Sequence, residues 1–131
     1  MPAWGEKDGG LRSGEIAEVV SHLRRLGGVR PEPDRKPRRW VGGDRIEGAR
    51  LFAAYCAPCH GTRGEGKEGP ALNNKVLLGS ATDTYLTETI RRGRRGTAME
   101  GFANPSIVRP ALSGREIESI VTYLRTWEAG K

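Results

Sequence analysis

The sequence predicts an all-α chain, and three observations carry that prediction. Apolar residues recur at helical spacing in several separate stretches. Two of those stretches open on residues spaced as a capping box, Asp44 with Glu47 and Ser113 with Glu116. No segment reads as a convincing strand, and the intervening glycine-rich stretches have no period at all.

Composition divides the chain into three parts. Residues 1–26 end in the amphipathic stretch SGEIAEVVSHLRRL. Residues 27–43, GGVRPEPDRKPRRWVGG, are rich in Pro, Gly and Arg and read as a linker. Residues 44–130 form the main unit. It opens with a helix of about 14 residues, N-capped by Asp44, with Ile46, Ala49, Phe52, Ala53 and Cys56 on one face. The stretch HGTRGEGKEGPALNN is a loop. A second helix runs from Asp83 to Arg92 and stops at Gly93, with Tyr85, Leu86 and Ile90 as its buried side. A third begins near Ser113 and carries the stripe Ile117, Ile120, Val121, Leu124 and Trp127. The main unit is therefore three main helices joined by long loops.

The totals narrow the classes further. Hydrophobic residues are 36% of the 131 and aromatics 6%, with 19 glycines, so a core of protein alone would be marginal. A large apolar cofactor could supply what is missing. The formal charge is +6, from 22 Lys+Arg against 16 Asp+Glu. That balance fits nucleic acid, an anionic membrane surface or an acidic protein partner, although scattered basic residues are also an ordinary solvated face. No apolar run reaches the ~18 residues needed to cross a bilayer, and the opening MPAWGEKDGG is not a secretory signal.

One motif carries chemistry. Cys56-Ala57-Pro58-Cys59-His60 is the CxxCH haem-attachment pattern. Each cysteine sulfur can add across one haem vinyl group, and two intervening residues let both reach adjacent vinyls. The histidine then lies where an imidazole nitrogen can ligate the iron. A structural zinc site needs about four ligands, and the other histidine, His22, lies in a different segment with no third cysteine. A redox dithiol of the thioredoxin kind needs a βαβ setting that is absent. The run Gly64-Glu65-Gly66-Lys67-Glu68 is no phosphate loop, since neither Ser nor Thr follows the lysine and no strand precedes it.

With that motif, residues 44–128 resemble the class I cytochrome c family. Gly48 and Phe52 stand before Cys56 where the family packs its first helix across its last, with Tyr123 or Trp127 opposite. The resemblance implies a cytochrome c-like fold around one covalent haem c. It implies that the Pro70 carbonyl accepts the other ring N–H of His60, which fixes the tautomer and strengthens the ligand. It also implies Met99 as the distal axial ligand, in the loop between the second and third helices. A neutral thioether there favours ferrous iron. The family often has Met-Pro at this point, whereas Glu100 follows Met99.

An internal repeat adds to this. Ile16, Val20, Leu23 and Arg24 match Ile117, Val121, Leu124 and Arg125, and a three-residue gap aligns Met1 with Met99 and Trp4 with Phe102. Residues 1–26 thus resemble the distal-methionine loop and last helix of a preceding domain, as in a fragment of a dihaem cytochrome c; the other reading of Met1 is an ordinary initiator. His22 falls at the place of Tyr123 and is expected to be structural or exposed.

The expected function is single-electron transfer through a six-coordinate haem, in an extracytoplasmic (periplasmic) respiratory or photosynthetic chain or a dehydrogenase complex. The expected partner is a redox protein with an acidic docking surface, steered by Arg63, Lys67, Arg91, Arg92, Arg94 and Arg95, or a larger membrane-associated redox complex in which the chain is a subunit. No nucleic-acid role and no transmembrane segment is expected. The alternative is a five-coordinate haem c ligand sensor or peroxidase-like enzyme, for which Glu100 beside Met99 is the supporting departure.

Overall fold

A computed structural model of the chain describes residues 5, 10–28 and 38–128. Met1, Trp4 and most of the Pro-rich linker lie outside the described residues, so the repeat pairings of Met1 and Trp4 are not tested by it. The chain divides into one unit up to residue 35 and a second from residue 36.

In the first unit the amphipathic stretch forms helix α1, Ser13–Leu26. Its start is held by Glu15, whose carboxylate accepts the Arg12 backbone N–H at 2.8 Å. None of its residues is buried, and Ile16, Val19, Val20, Leu23 and Leu26 are all exposed. His22 is exposed too.

Among its described residues the second unit contains five helices: α2 (Arg45–Tyr55), α3 (Ala57–His60), α4 (Lys75–Ser80), α5 (Asp83–Arg92) and α6 (Gly114–Glu128). Among the described residues the only β pairing is isolated bridges. Asp44 caps α2, accepting the N–H groups of Ile46 at 2.7 Å and Glu47 at 3.0 Å. Glu47 does not reach back to complete the box; its carboxylate pairs with Arg50 at 2.6 Å. The box at α6 is reciprocal: Ser113 N–H donates to Glu116 at 2.7 Å and Glu116 N–H to Ser113 Oγ at 3.3 Å.

Helix α6 is the centre of the unit, and α2, α4 and α5 all pack on it. Its stripe Ile117, Ile120, Val121 and Leu124 is buried with Leu51, Phe52, Leu78, Leu86, Ile90 and Leu112. The crossing of α2 and α6 is close because of Gly48: a Cβ there would lie 2.5 Å from the Ser119 carbonyl carbon and 3.0 Å from Tyr123 Cβ. Around the crossing Phe52, Tyr123 and Trp127 form a ring cluster with centroids 5.0–5.6 Å apart.

The structure corrects four expectations. The opening helix is shorter and breaks at Cys56, where α2 ends and the separate turn α3 begins. Its buried residues are Gly48, Leu51 and Phe52, while Ile46 is 77% exposed and Ala53 is exposed, because the glycine sets which side meets α6. Tyr85 is 45% exposed, and the inner side of α5 is Asp83, Leu86, Thr87 and Ile90. Helix α4 lies just beyond the expected loop, capped by Asn74.

The end of the Pro/Arg-rich stretch also belongs to the second unit. Asp83, 1% exposed, accepts the backbone N–H of Trp40 at 2.6 Å and of Val41 at 2.9 Å, and pairs with Arg125 Nε at 2.8 Å. Burial pushes the Asp83 pKa up, but the two N–H donors and the Arg125 guanidinium outweigh it and hold the carboxyl below its ordinary value. Arg39 donates to the carbonyls of Leu78 and Ala81 and pairs with Glu128.

Candidate functional site

The CxxCH motif forms a single helical turn. Cys56 is both the last cap of α2, donating to Phe52 at 2.9 Å, and the first cap of α3. Its carbonyl accepts the N–H groups of Cys59 at 3.2 Å and His60 at 2.9 Å. Residues three and four apart on a helix share a face, so Cys56, Cys59 and His60 are offered to one side. Pro58 sits in the first turn at no cost, since its missing N–H would be unsatisfied there.

The following loop folds back onto that turn. Gly66 N–H donates to the His60 carbonyl at 2.7 Å and Gly69 N–H to the Cys59 carbonyl at 2.8 Å. The Pro70 carbonyl thereby comes to 2.8 Å from His60 Nδ1. A carbonyl only accepts, so Nδ1 must carry the hydrogen, and in the neutral ring the lone pair is on Nε2. Gly69 makes this possible: a Cβ there would lie 2.8 Å from His60 Cε1 and 2.9 Å from Nδ1. Gly64, at φ +70°, lets the loop lie under Trp127, whose ring would be 2.5 Å from a Cβ. That run is therefore more than a solvated loop.

No disulfide joins the two cysteines; Cys56 is half-buried and Cys59 exposed. Burial, with Cys59 beside it, pushes the Cys56 thiol up to about 12. Redox-active dithiols have the opposite shift, because the thiolate is the reacting form. Among the described residues no three His, Cys, Asp or Glu side chains are grouped as a metal cage. One imidazole with a directed lone pair, two neighbouring thiols and a separate thioether therefore fit a haem c better than zinc.

Met99 is half-buried against the same core as Cys56. Its loop is anchored to the end of α5, where Gly93 and Glu100 form a bridge and Phe102 N–H donates to the Ile90 carbonyl at 3.0 Å. Composition did not single out Arg109, yet it fastens the far side of this loop. Its Nη2 donates to the Gly101 carbonyl at 2.8 Å and its guanidinium lies 3.9 Å from the Phe102 ring centre.

The six expected basic residues are all exposed. Arg91 and Arg92 share the carboxylate of Glu88, and Arg94 stacks on Tyr85 and donates to its hydroxyl. Arg92, Arg94 and Arg95 line one open pocket with Met99 and Glu100.

Comparison with known proteins gives the fold and the family. Two crystal structures share the fold. Cytochrome cL from Methylophaga aminisulfidivorans aligns with a TM-score of 0.52 and 29% identity over 95% of this chain and 71% of that one. Cytochrome cL from Hyphomicrobium denitrificans aligns with a TM-score of 0.52 and 26% identity over 88% of this chain and 61% of that one. The fold is cytochrome c-like and mostly helical. In sequence, the chain is 37% identical over 114 residues to the cbb3-type cytochrome c oxidase subunit FixP of Bradyrhizobium diazoefficiens, covering 83% of this chain. It is 27% identical over 124 residues to the subunit CcoP of Rhodobacter capsulatus. It spans only 36% and 39% of the lengths of those two relatives. The family described as cytochrome c oxidase, cbb3-type, subunit III matches residues 44–124, which contain the CxxCH turn, Pro70 and Met99. The chain thus belongs to the cbb3-type cytochrome c oxidase subunit III family.

Proposed function

We propose that residues 44–128 hold one haem c, bound covalently through Cys56 and Cys59 with His60 and Met99 as axial ligands, and pass single electrons between redox proteins. The observation that carries this is the His60 ring, aimed by the Pro70 carbonyl at 2.8 Å from the turn that also bears both thiols. The haem supplies the one-electron couple. The protein supplies everything else: two sulfur anchors one turn apart, a fixed imidazole tautomer, and a neutral thioether from an anchored loop. With His60 and Met99 both bound, the iron would keep no position for substrate, which favours a carrier over a catalyst.

The relatives are named as oxidase subunits, which supports a place for this chain in a membrane-associated redox complex. Haem c attachment takes place after export, which supports an extracytoplasmic, periplasmic site. The exposed arginines around the Met99 pocket support an acidic partner. The repeat and the exposed stripe of α1 support reading residues 1–26 as the end of a further domain, with the joining stretch ending before Arg38, from which the chain is tied into the second unit.

The decisive experiment is spectroscopic. Holoprotein made with haem c maturation should carry one haem by mass, and C56S/C59S should release it to acid-acetone extraction. The ferric form should show a methionine–iron charge-transfer band that Met99→Ala removes. A high-spin spectrum with rapid carbon monoxide binding would favour the ligand-sensing or peroxidase-like reading instead.

A further inference from the structure

The turn that presents Met99 is closed by backbone bonds, among them Thr97 N–H to the Arg94 carbonyl at 3.1 Å, and by one side chain. Thr97 Oγ1 donates to the Arg94 carbonyl at 2.8 Å and accepts the Met99 backbone N–H at 3.2 Å. The Met99 carbonyl in turn accepts the Arg94 N–H at 2.8 Å. Both polar backbone groups of Met99 are therefore held, and its N–H is held by a hydroxyl. One hydroxyl can donate and accept together, so this atom adds a second tie between Arg94 and Met99 across the turn.

The base of the turn is tight by itself. A Cβ at Gly93 would lie 2.5 Å from the Glu100 carbonyl carbon and from the Gly101 nitrogen, so the two sides of the turn are already in contact. Thr97 itself is exposed and lines the same open pocket as Met99. Its methyl group is not needed for core packing, and its hydroxyl is what the turn uses.

We propose that Thr97 is a positioning residue for the distal ligand: its hydroxyl fixes the turn so that Met99 stays directed at the iron. This rests on the reading of Met99 as that ligand. Without the hydroxyl, the Met99 N–H exchanges its partner for water and the turn samples conformations that withdraw the thioether. An external ligand binds only when the thioether has left, so its apparent affinity reports the withdrawn fraction.

The test is imidazole binding to the ferric holoprotein, followed optically, in Thr97→Val, Thr97→Ser and Met99→Ala. Valine keeps the shape and removes the hydroxyl, so imidazole should bind about five- to tenfold more tightly, the effect of roughly one net hydrogen bond. Serine keeps the hydroxyl and should stay within about twofold of the parent. Should Thr97→Val not accumulate as holoprotein, Thr97→Ala makes the same comparison. Parent-like imidazole affinity in the hydroxyl-free variant, with a lowered melting temperature alone, would overturn the proposal, because Thr97 would then support the fold and not the ligand. Met99→Ala separates the two levels. If it tightens imidazole binding while loss of the Thr97 hydroxyl does not, only the Thr97 assignment fails. If Met99→Ala binds imidazole like the parent, Met99 is no ligand and both readings fall.

Discussion

Substituting Gly48 by alanine tests whether the crossing of α2 and α6 is what the core depends on. The added Cβ would lie 2.5 Å from the Ser119 carbonyl carbon and 3.0 Å from Tyr123 Cβ. Carbon atoms pack at about 3.5–4.0 Å, so the helices must part by roughly 1 Å. Overpacking of this kind costs about 1–3 kcal/mol. Moving α6 away also loosens the contacts of Phe52 with Tyr123 and Trp127, each worth about 0.5–1.5 kcal/mol beyond its buried area. Together these give about 3 kcal/mol, or a melting temperature lower by about 12–24 °C for a domain of this size. Gly79→Ala is the control. It lies in α4 with nothing within 4 Å of the new Cβ, and alanine there should be neutral or stabilising by up to about 1 kcal/mol. Thermal and urea unfolding of the holoproteins, followed by far-UV circular dichroism, make the comparison. If Gly48→Ala unfolds within about 1 kcal/mol of the parent, the close crossing is not a determinant of stability and the packing argument is wrong.

Other expectations follow from the same geometry. Asp83→Asn leaves Arg125, whose side chain is only 12% exposed, without its buried carboxylate, and should cost about 3 kcal/mol in urea unfolding. The folded pKa of Asp83 lies below its ordinary value of 3.8, so its contribution is full above that value and is lost as pH falls below it. The parent should therefore lose stability through that acid window more steeply than Asp83→Asn, and parallel curves would refute the assignment. Gly69→Ala should displace the His60 ring from the Pro70 carbonyl and raise the reduction potential, since an imidazole without that bond is a weaker donor; an unchanged potential in redox titration would show the contact does not tune the ligand. Changing Arg91, Arg92, Arg94 and Arg95 together to glutamine should flatten the salt dependence of electron transfer to an acidic redox protein, and unchanged stopped-flow kinetics would exclude that patch.

How much of this could be read in the residues depends on how local each cause is. The CxxCH turn, the Asp44 and Ser113 caps and the stop of α5 at Gly93 each rest on a few neighbouring residues, and a string of letters shows them. The face of α2 does not. Ile46, Ala49 and Ala53 have suitable spacing, but Gly48 decides which side can approach α6, and that is known only when Ser119 is placed opposite. Arg39 and Trp40 sit in a stretch whose composition reads as a linker. Their partners, the carbonyls of Leu78 and Ala81 and the carboxylate of Asp83, lie about forty positions later and leave no mark nearby. Helix α4 is only six residues long, too short for a period, although Asn74 was available as a cap signal. At Met99 the loop was legible and its fastening was not, because Thr97 and Arg109 act through backbone carbonyls that every residue possesses.

The two matching helices show why an amphipathic pattern is only half of a contact. Ile117, Val121 and Leu124 in α6 are 3%, 0% and 3% exposed, while Ile16, Val20 and Leu23 in the same register of α1 are 38%, 38% and 59% exposed. The stripe is shared, so the stripe cannot be what buries α6. What buries it is the receiving surface: a glycine that admits the helix backbone at Gly48, aromatic and aliphatic side chains from Phe52 to Ile90, and a buried carboxylate at Asp83 for Arg125. Arg24 stands where Arg125 stands, and among the described residues no ion pair involves it. A surface that received α1 in the same way would need its own small residue at the crossing and its own buried acid opposite Arg24. Those two residues, more than another run of apolar side chains, are what would identify the partner of α1.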